Sequence, residues 1–260
     1  MNATWLGHQR IELAECASTN DEAARLARAG ASHGTIVVAH SQTAGRGRDG
    51  RKWVSPPGFG LYLSAVLRPP LPLLDVPPMT LAIGIGVCDA VRQLGAPALL
   101  KWPNDVLVHG RKLAGVLVEA QSQGTRLEAV IVGIGLNLAG ELPPELRETA
   151  ITLAEASQGV IDRTAVIDRL LAHVERWVDR YAAMGLTEII PTWHARMAPG
   201  LAARAMIDGM PLVGEVAGLD GDGALLLRDG AGLVHRVRSG DVETVPAGSY
   251  NRVASANAMD

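Results

Sequence analysis

Cysteine is scarce in this chain, with only Cys16 and Cys88 in 260 residues. Two thiols without metal-ligand spacing make neither a disulfide framework nor a metal knot, so reduced, partly buried thiols and a cytoplasmic location are expected. Positive charge is not in excess either: 24 Lys and Arg against 27 Asp and Glu leave a net charge of -3. That balance argues against a nucleic-acid partner, which needs a broad basic face, and any anion site must be local. Uninterrupted apolar runs are also missing. The most apolar stretch, Leu81 to Leu94, is broken by Gly84, Gly86, Asp89 and Arg92, short of the run of about 20 residues that a membrane span needs. The start, M-N-A-T-W-L-G-H-Q-R, lacks the cationic and apolar segments of a secretion signal. No G-x-x-x-x-G-K-[ST], no G-x-G-x-x-G opening a helix, no G-x-S-x-G and no H-E-x-x-H occurs. P-loop, dinucleotide, nucleophile-elbow and zinc-helix chemistries are thereby set aside.

What is present suits a globular protein with one large domain and one small one. From Ser18, S-T-N-D-E-A-A-R-L-A-R-A-G carries a helix cap, acids in the first turn and a glycine stop. T-I-V-V-A-H-S-Q and L-Y-L-S-A-V-L have strand character, and a glycine-rich loop separates them. Met79 to Leu94 carries a helical pattern. The segments from Ala98 to Ala120 and from Leu127 to Leu138 look like antiparallel strands joined by tight turns. Asp162 stands before an amphipathic stripe running from Val166 to Tyr181. Beyond Arg204, Asp-Gly pairs between short β runs indicate hairpins, and a small barrel is the simplest arrangement. The expectation is therefore a mixed α/β (α+β) fold with a largely antiparallel sheet and flanking helices. Its domains are expected at residues 1–203 and 204–247, with a disordered tail over 248–260.

Four segments carry candidate chemistry. Q-T-A-G-R-G-R-D-G-R-K-W, from Gln42 to Trp53, combines three glycines with four cations. Glycine allows backbone N–H groups to approach a ligand, and guanidinium matches carboxylate and phosphate oxygens, so the loop reads as an anion cradle. K-W-P-N-D, Lys101 to Asp105, groups an indole, an amide and a carboxylate at a break between strands, suited to a purine or a bound magnesium. G-R-K-L-A-G-V-L-V-E places Lys112 three residues before Gly115, where a lysine could neutralise two anions brought together. V-I-V-G-I-G-L-N-L carries Asn137 after a glycine-interspersed apolar strand. Each has an ordinary structural reading as well: Trp102 as a core anchor, Asn104 and Asp105 as turn formers, Lys112 as a strand-end lysine.

Taken in order, S-T-N at 18–20, G-R-G-R-x-G-R-x-W at 45–53, K-W-P-N-D at 101–105, G-R-K-L-A-G-V-L-V-E at 110–119 and G-I-G-L-N at 133–137 resemble the biotin protein ligases. The resemblance implies a class II synthetase-like catalytic domain and an SH3-like C-terminal domain. It implies formation of biotinyl-5′-adenylate from biotin and ATP with Mg2+, then transfer of biotin to a lysine of a biotin carboxyl carrier protein. By the same likeness, Ser18, Thr19, Asn20 and Gln42 bond the ureido ring or line its pocket, and Gly115 leaves room for the ring system. Gly45, Arg46, Gly47 and Arg48 complete the biotin loop. Arg46, Arg48 and Arg51 with Lys112 are the cations of the first step. Trp53 and Asn137 contact adenine, Lys101 and Asn104 belong to the ATP site, and Asp105 binds magnesium or activates the acceptor lysine.

Two departures matter. Transcription-regulating members carry a winged helix-turn-helix before the S-T-N segment, whereas 17 residues precede Ser18 here, so a monofunctional ligase without nucleic-acid or membrane partners is expected. Asp49 stands where relatives can have arginine. The alternatives are a lipoate or octanoyl ligase or transferase of the same superfamily, or a non-catalytic biotin-binding module. An exposed sheet could also pair two subunits as a homodimer.

Overall fold

In the computed structural model of the protein, two antiparallel hairpins at the centre of the chain organise the larger sheet. The structure describes residues 3–197, 202–207, 210–238, 240 and 242–245. The expected tail, 248–260, lies outside the described residues. The larger sheet has seven strands in the order β1-β2-β3-β7-β6-β5-β4. These are β1 (Arg10–Cys16), β2 (Ile36–Gln42), β3 (Gly60–Leu67), β4 (Leu99–Lys101), β5 (Asp105–Val108), β6 (Arg111–Gln123) and β7 (Arg126–Asn137). Only β1 and β2 pair in parallel, through the crossover helix α1 (Thr19–Arg28). The other neighbours are antiparallel.

One face of this sheet is covered by α2 (Met79–Gln93), which packs on α4 (Arg163–Met184). The stretch Leu73–Gln93 is long and apolar enough to cross a membrane, with a mean hydropathy of 1.4, but 67% of that window is buried inside the fold. Its small residues serve helix packing: a side chain at Gly86 would come within 2.8 Å of the Val174 backbone. α4 begins as its sequence dictates, the Asp162 carboxylate accepting from Thr164 and Ala165 N–H. Glu175, on the buried side of α4, anchors the N-terminal segment by accepting from the backbone N–H groups of Thr4, Trp5 and Leu6. Two shorter helices, α3 (Leu153–Ser157) and α5 (Ile189–Arg196), complete the larger unit.

The smaller sheet contains β8 (Ala202–Ile207), β9 (Met210–Leu219), β10 (Leu225–Arg228), β11 (Val234–Val237) and β12 (Glu243–Val245), all antiparallel, in the order β11-β10-β9-β8-β12. The Asp-Gly signals fall at its turns. Asp220 accepts from Ala224 N–H, and Asp229 accepts from Ala231 and Leu233 N–H. The sheet starts at Ala202, two residues before the boundary expected from composition. Trp102 joins it to the larger unit, its indole N–H donating to Gly223 O at 3.0 Å.

Candidate active site

The site is assembled where the β2–β3 loop, the N-terminus of α1 and the strands β5, β6 and β7 converge. The loop folds on itself as a short hairpin: Trp53 N donates to Gly45 O at 2.9 Å, Gly47 N to Arg51 O at 2.6 Å, and Arg46 bridges Lys52. Its turn sits at Asp49 and Gly50, with φ of 55° and 72°. Aspartate tolerates the left-handed region better than arginine, so the departure at Asp49 has a conformational reading. Gly45 is demanded by close approach, since a Cβ there would lie 2.6 Å from Trp53 O and 2.7 Å from Ser55 Oγ.

Two cavities meet at the loop. The first, of about 150 Å³, is lined by Ser18, Thr19, Asn20, Gln42, Arg46 and Gly115 among others. The second, of about 540 Å³, is lined by Phe59, Asn137, Leu146, Thr149 and Ala150 among others. Lys52, Trp53, Lys101, Asp105 and Lys112 line both. A cationic and carboxylate junction therefore separates a small polar compartment from a larger one, the shape needed to join two ligands end to end. Drug-sized ligands occupy pockets of roughly 300 to 1,000 Å³, so the smaller compartment must open to receive one. What fills it is Trp53. The ring lies across Gly115 and Gly135, where a Cβ would be 3.1 Å and 2.4 Å from the indole. Its Nε1 is buried without a hydrogen-bond partner among the described residues, a cost relieved once the ring moves or a ligand acceptor arrives.

The polar wall of the smaller compartment is a chain of hydrogen bonds. Asn20 Nδ2 donates to Glu119 Oε2 at 2.5 Å, and Asn20 Oδ1 is 2.6 Å from Ser64 Oγ. Ser64 Oγ is also 2.7 Å from Thr19 Oγ1. Thr19 N and Oγ1 donate to Gln42 Oε1, Gln42 Nε2 donates to Ser55 Oγ, and Ser55 Oγ donates to Trp53 O. Ser55, Ser64 and Glu119 were not singled out from sequence. The available signal was a fully buried-strand serine amid L-Y-L-S-A-V-L and the terminal glutamate of G-R-K-L-A-G-V-L-V-E.

The cations divide by partner. Arg46, expected at biotin and the phosphates, forms two 2.6 Å hydrogen bonds to Asp21, which hold the Asp21 carboxyl below its ordinary pKa. As placed it ties the loop to α1. Arg48 lines the smaller cavity and has no ion pair among the described residues, so it is available to an anion. Arg51 lies 3.9 Å from Asp49. Lys112 pairs with Asp105 at 2.6 Å and lies 5.2 Å from the centre of the Trp53 ring. Asp105, expected to bind magnesium or to activate the acceptor lysine, here has Oδ1 facing the Lys112 ammonium. Among the described residues, no group of three or more His, Cys, Asp or Glu is placed to hold a metal.

K-W-P-N-D forms the turn between β4 and β5, with a cis Trp102–Pro103 bond. Asn104, expected at the nucleotide, donates from Nδ2 to Val116 O at 2.8 Å, and its backbone carbonyl accepts from Val116 N. It clamps the turn to β6. Asn137 Nδ2 similarly donates to the carbonyls of Lys112 and Ile151, at 3.3 and 3.2 Å, while the residue still lines the larger cavity. Trp102 is a core anchor, 6% exposed.

Comparison with known proteins places this architecture. The profile of the biotin/lipoate A/B protein ligase family matches residues 14–137, and that of the biotin protein ligase C-terminal domain matches 205–244. The biotin–[acetyl-CoA-carboxylase] ligase of Paracoccus denitrificans is 37% identical over 231 residues, covering 85% of this chain and 94% of that protein. The chain belongs to the biotin protein ligase family. The corresponding ligase of Mycobacterium tuberculosis is 33% identical over 243 residues, covering 88% and 86%. A bifunctional ligase/repressor of Bacillus subtilis is 37% identical, but the match spans 71% of its length. Among solved structures, the Aquifex aeolicus biotin protein ligase in complex with biotin and ATP superposes with a TM-score of 0.79 at 32% identity, covering 92% of this chain and 99% of that one. Membership of this biotin protein ligase family bears out the mixed fold and the family resemblance.

Proposed function

We propose that the protein is an ATP-dependent biotin protein ligase that forms biotinyl-5′-adenylate and passes the biotinyl group to a lysine of a biotin carboxyl carrier protein. The observation that carries this reading is the pair of cavities meeting at Lys112, Asp105 and Trp53. Biotin occupies the smaller, polar compartment once Trp53 withdraws, and the nucleoside occupies the larger one beside Asn137. A carboxylate oxygen of biotin then attacks the α-phosphorus at the junction, the bond to the bridging oxygen breaks, and pyrophosphate leaves. Both reactants are anionic, so Arg48 and Lys112 lower the barrier by offsetting charge that accumulates between them. Arg51 adds to this local field.

In the second step the carrier's lysine amine attacks the acyl carbon and AMP departs. Asp105 accepts the amine's proton or orients it once Lys112 shifts toward the phosphate. Magnesium belongs to this proposal as the counter-ion that accompanies the triphosphate and reduces its charge, held by phosphate oxygens. The carrier and a cytoplasmic setting are part of the same reading. The polar wall of amide and hydroxyl groups favours a cyclic urea over the donor-free ring of lipoate.

The test is incubation with ATP, magnesium, radiolabelled biotin and an apo carrier domain. Label on the carrier lysine is expected. No label, or equal labelling from lipoate, would overturn the assignment.

A further inference from the structure

We infer that Asp21 is a positioning residue: through Arg46 it tethers the 45–53 hairpin to α1 and keeps that hairpin over the smaller compartment while Trp53 makes way for the ligand. The inference rests on the biotin reading above. The base of the hairpin is pinned by backbone bonds, Thr43 N donating to Cys16 O and Ala44 N to Ala17 O. Beyond it, among the described residues, the backbone hydrogen bonds of 45–53 run within the hairpin itself, from Trp53 N to Gly45 O, from Gly47 N to Arg51 O and from Arg51 N to Arg48 O. Side chains therefore hold it to the body of the protein. Two that do so are Trp53, packed over Gly115 and Gly135, and Arg46, bonded to Asp21.

These two attachments fare differently when a ligand enters. The indole leaves its glycine floor to make room, and its hold on the hairpin goes with it. Arg46 instead grips the first turn of α1, with Nη1 to Asp21 Oδ2 and Nη2 to Asp21 Oδ1 both at 2.6 Å. Glu119 Oε1 adds a second negative charge 3.9 Å from Nη2. Two parallel bonds fix the direction of a guanidinium as well as its distance, so Arg46 acts as a pivot rather than a loose contact. Helix α1 also carries Thr19 and Asn20, which line the compartment, and the tether thus joins the wall to its cover. Arg48 follows two residues later and lines the same cavity, so its approach to an anion depends on where Arg46 is held. The Arg46 and Asp21 side chains are 38% and 51% exposed, which makes the pair a weak contributor to folding. Its effect falls on how long a ligand stays.

The experiment takes the wild type, Asp21→Asn and Glu22→Gln. It measures dissociation of radiolabelled biotin, chased with unlabelled biotin, and trypsin cleavage after Arg46, Arg48, Arg51 or Lys52, located by mass spectrometry. Asparagine keeps the shape of Asp21 and removes its charge. Glu22 is the control: it is the other acid in the first turn of α1 and pairs with Arg25, not with the hairpin. Asp21→Asn should release biotin about fivefold faster, the scale of one partly exposed ion pair, and the ligand-free variant should be cut several times faster within the hairpin. Glu22→Gln should match the wild type in both, and thermal melts establish that all three proteins are folded. Unchanged release or unchanged cleavage in Asp21→Asn, or the same acceleration in Glu22→Gln, would overturn the proposal. Failure of the wild type to bind biotin at all would instead count against the biotin reading, and the ligand-free digests would still decide the tether.

Discussion

Lys112 Nζ lies 2.6 Å from Asp105 Oδ1, across the hairpin of β5 and β6, and this pair sits at the junction of the two cavities. The lysine side chain is 34% exposed and the aspartate 16%, so the pair's contribution to folding is modest, within about 1 kcal/mol after solvent screening. Its contribution to a reaction between two anions is larger. Lys112→Ala should lower biotin-dependent pyrophosphate exchange by about 100-fold or more, the scale of removing one electrostatic stabiliser, with little change in the melting temperature. Losses of the two in proportion would make Lys112 a structural lysine.

The Trp53 indole lies over Gly115 and Gly135. If biotin displaces it, the indole passes from a dry contact with Gly115 and Gly135 to a new environment. Stopped-flow tryptophan fluorescence should show a biotin-dependent change that Trp53→Phe abolishes, although four other tryptophans remain. The same change in the variant would show that Trp53 does not move.

Trp102 links the K-W-P-N-D turn to the smaller sheet through Gly223 O at 3.0 Å. Trp102→Phe keeps most of the buried ring and removes the donor, which should cost about 1 kcal/mol and lower the melting temperature by roughly 2 to 4 °C. Calorimetry on both proteins decides this, and an unchanged transition would remove the bond from the account.

Glu175 gives the fold a pH dependence. Burial alone would raise its pKa, but N–H donors from Leu6, Thr4 and Trp5 together outweigh that, and the folded-state value is lowered. A carboxyl with a depressed pKa contributes stability that is full above its unfolded value, roughly 4.3, and is lost as pH falls through the folded value. Wild-type melts should therefore lose this contribution below about pH 4. Glu175→Gln should be less stable at neutral pH by about 2 to 3 kcal/mol, and the difference should shrink in acid. A difference constant with pH would contradict the assignment.

What the sequence made legible was local. The Asp162 cap, the Asp-Gly hairpins and the glycine/arginine loop state their geometry within a few residues, and each appears where its pattern put it. The strand β1 was not read, because R-I-E-L-A-E-C gains its identity by parallel pairing with β2 after a helix intervenes. The partners of the site residues were also hidden. Arg46, expected at biotin and the phosphates, is bonded to Asp21, 25 positions away. Asn104, expected in the ATP site, and Asn137, expected at the adenine, direct their NH2 groups to carbonyls of β6. Glu119 meets Asn20 across 99 positions. Such pairings depend on sheet register, which no short motif encodes.

The central claim is that the two cavities bring a biotin carboxylate onto the α-phosphate of ATP. Mixing the protein with ATP, magnesium and biotin, without any carrier, and analysing the small molecules by mass spectrometry tests it most directly. Biotinyl-5′-adenylate and pyrophosphate in equal amounts are predicted, with no adenylate when lipoate replaces biotin. Unconsumed ATP, or adenylate formed equally from lipoate, would contradict the account.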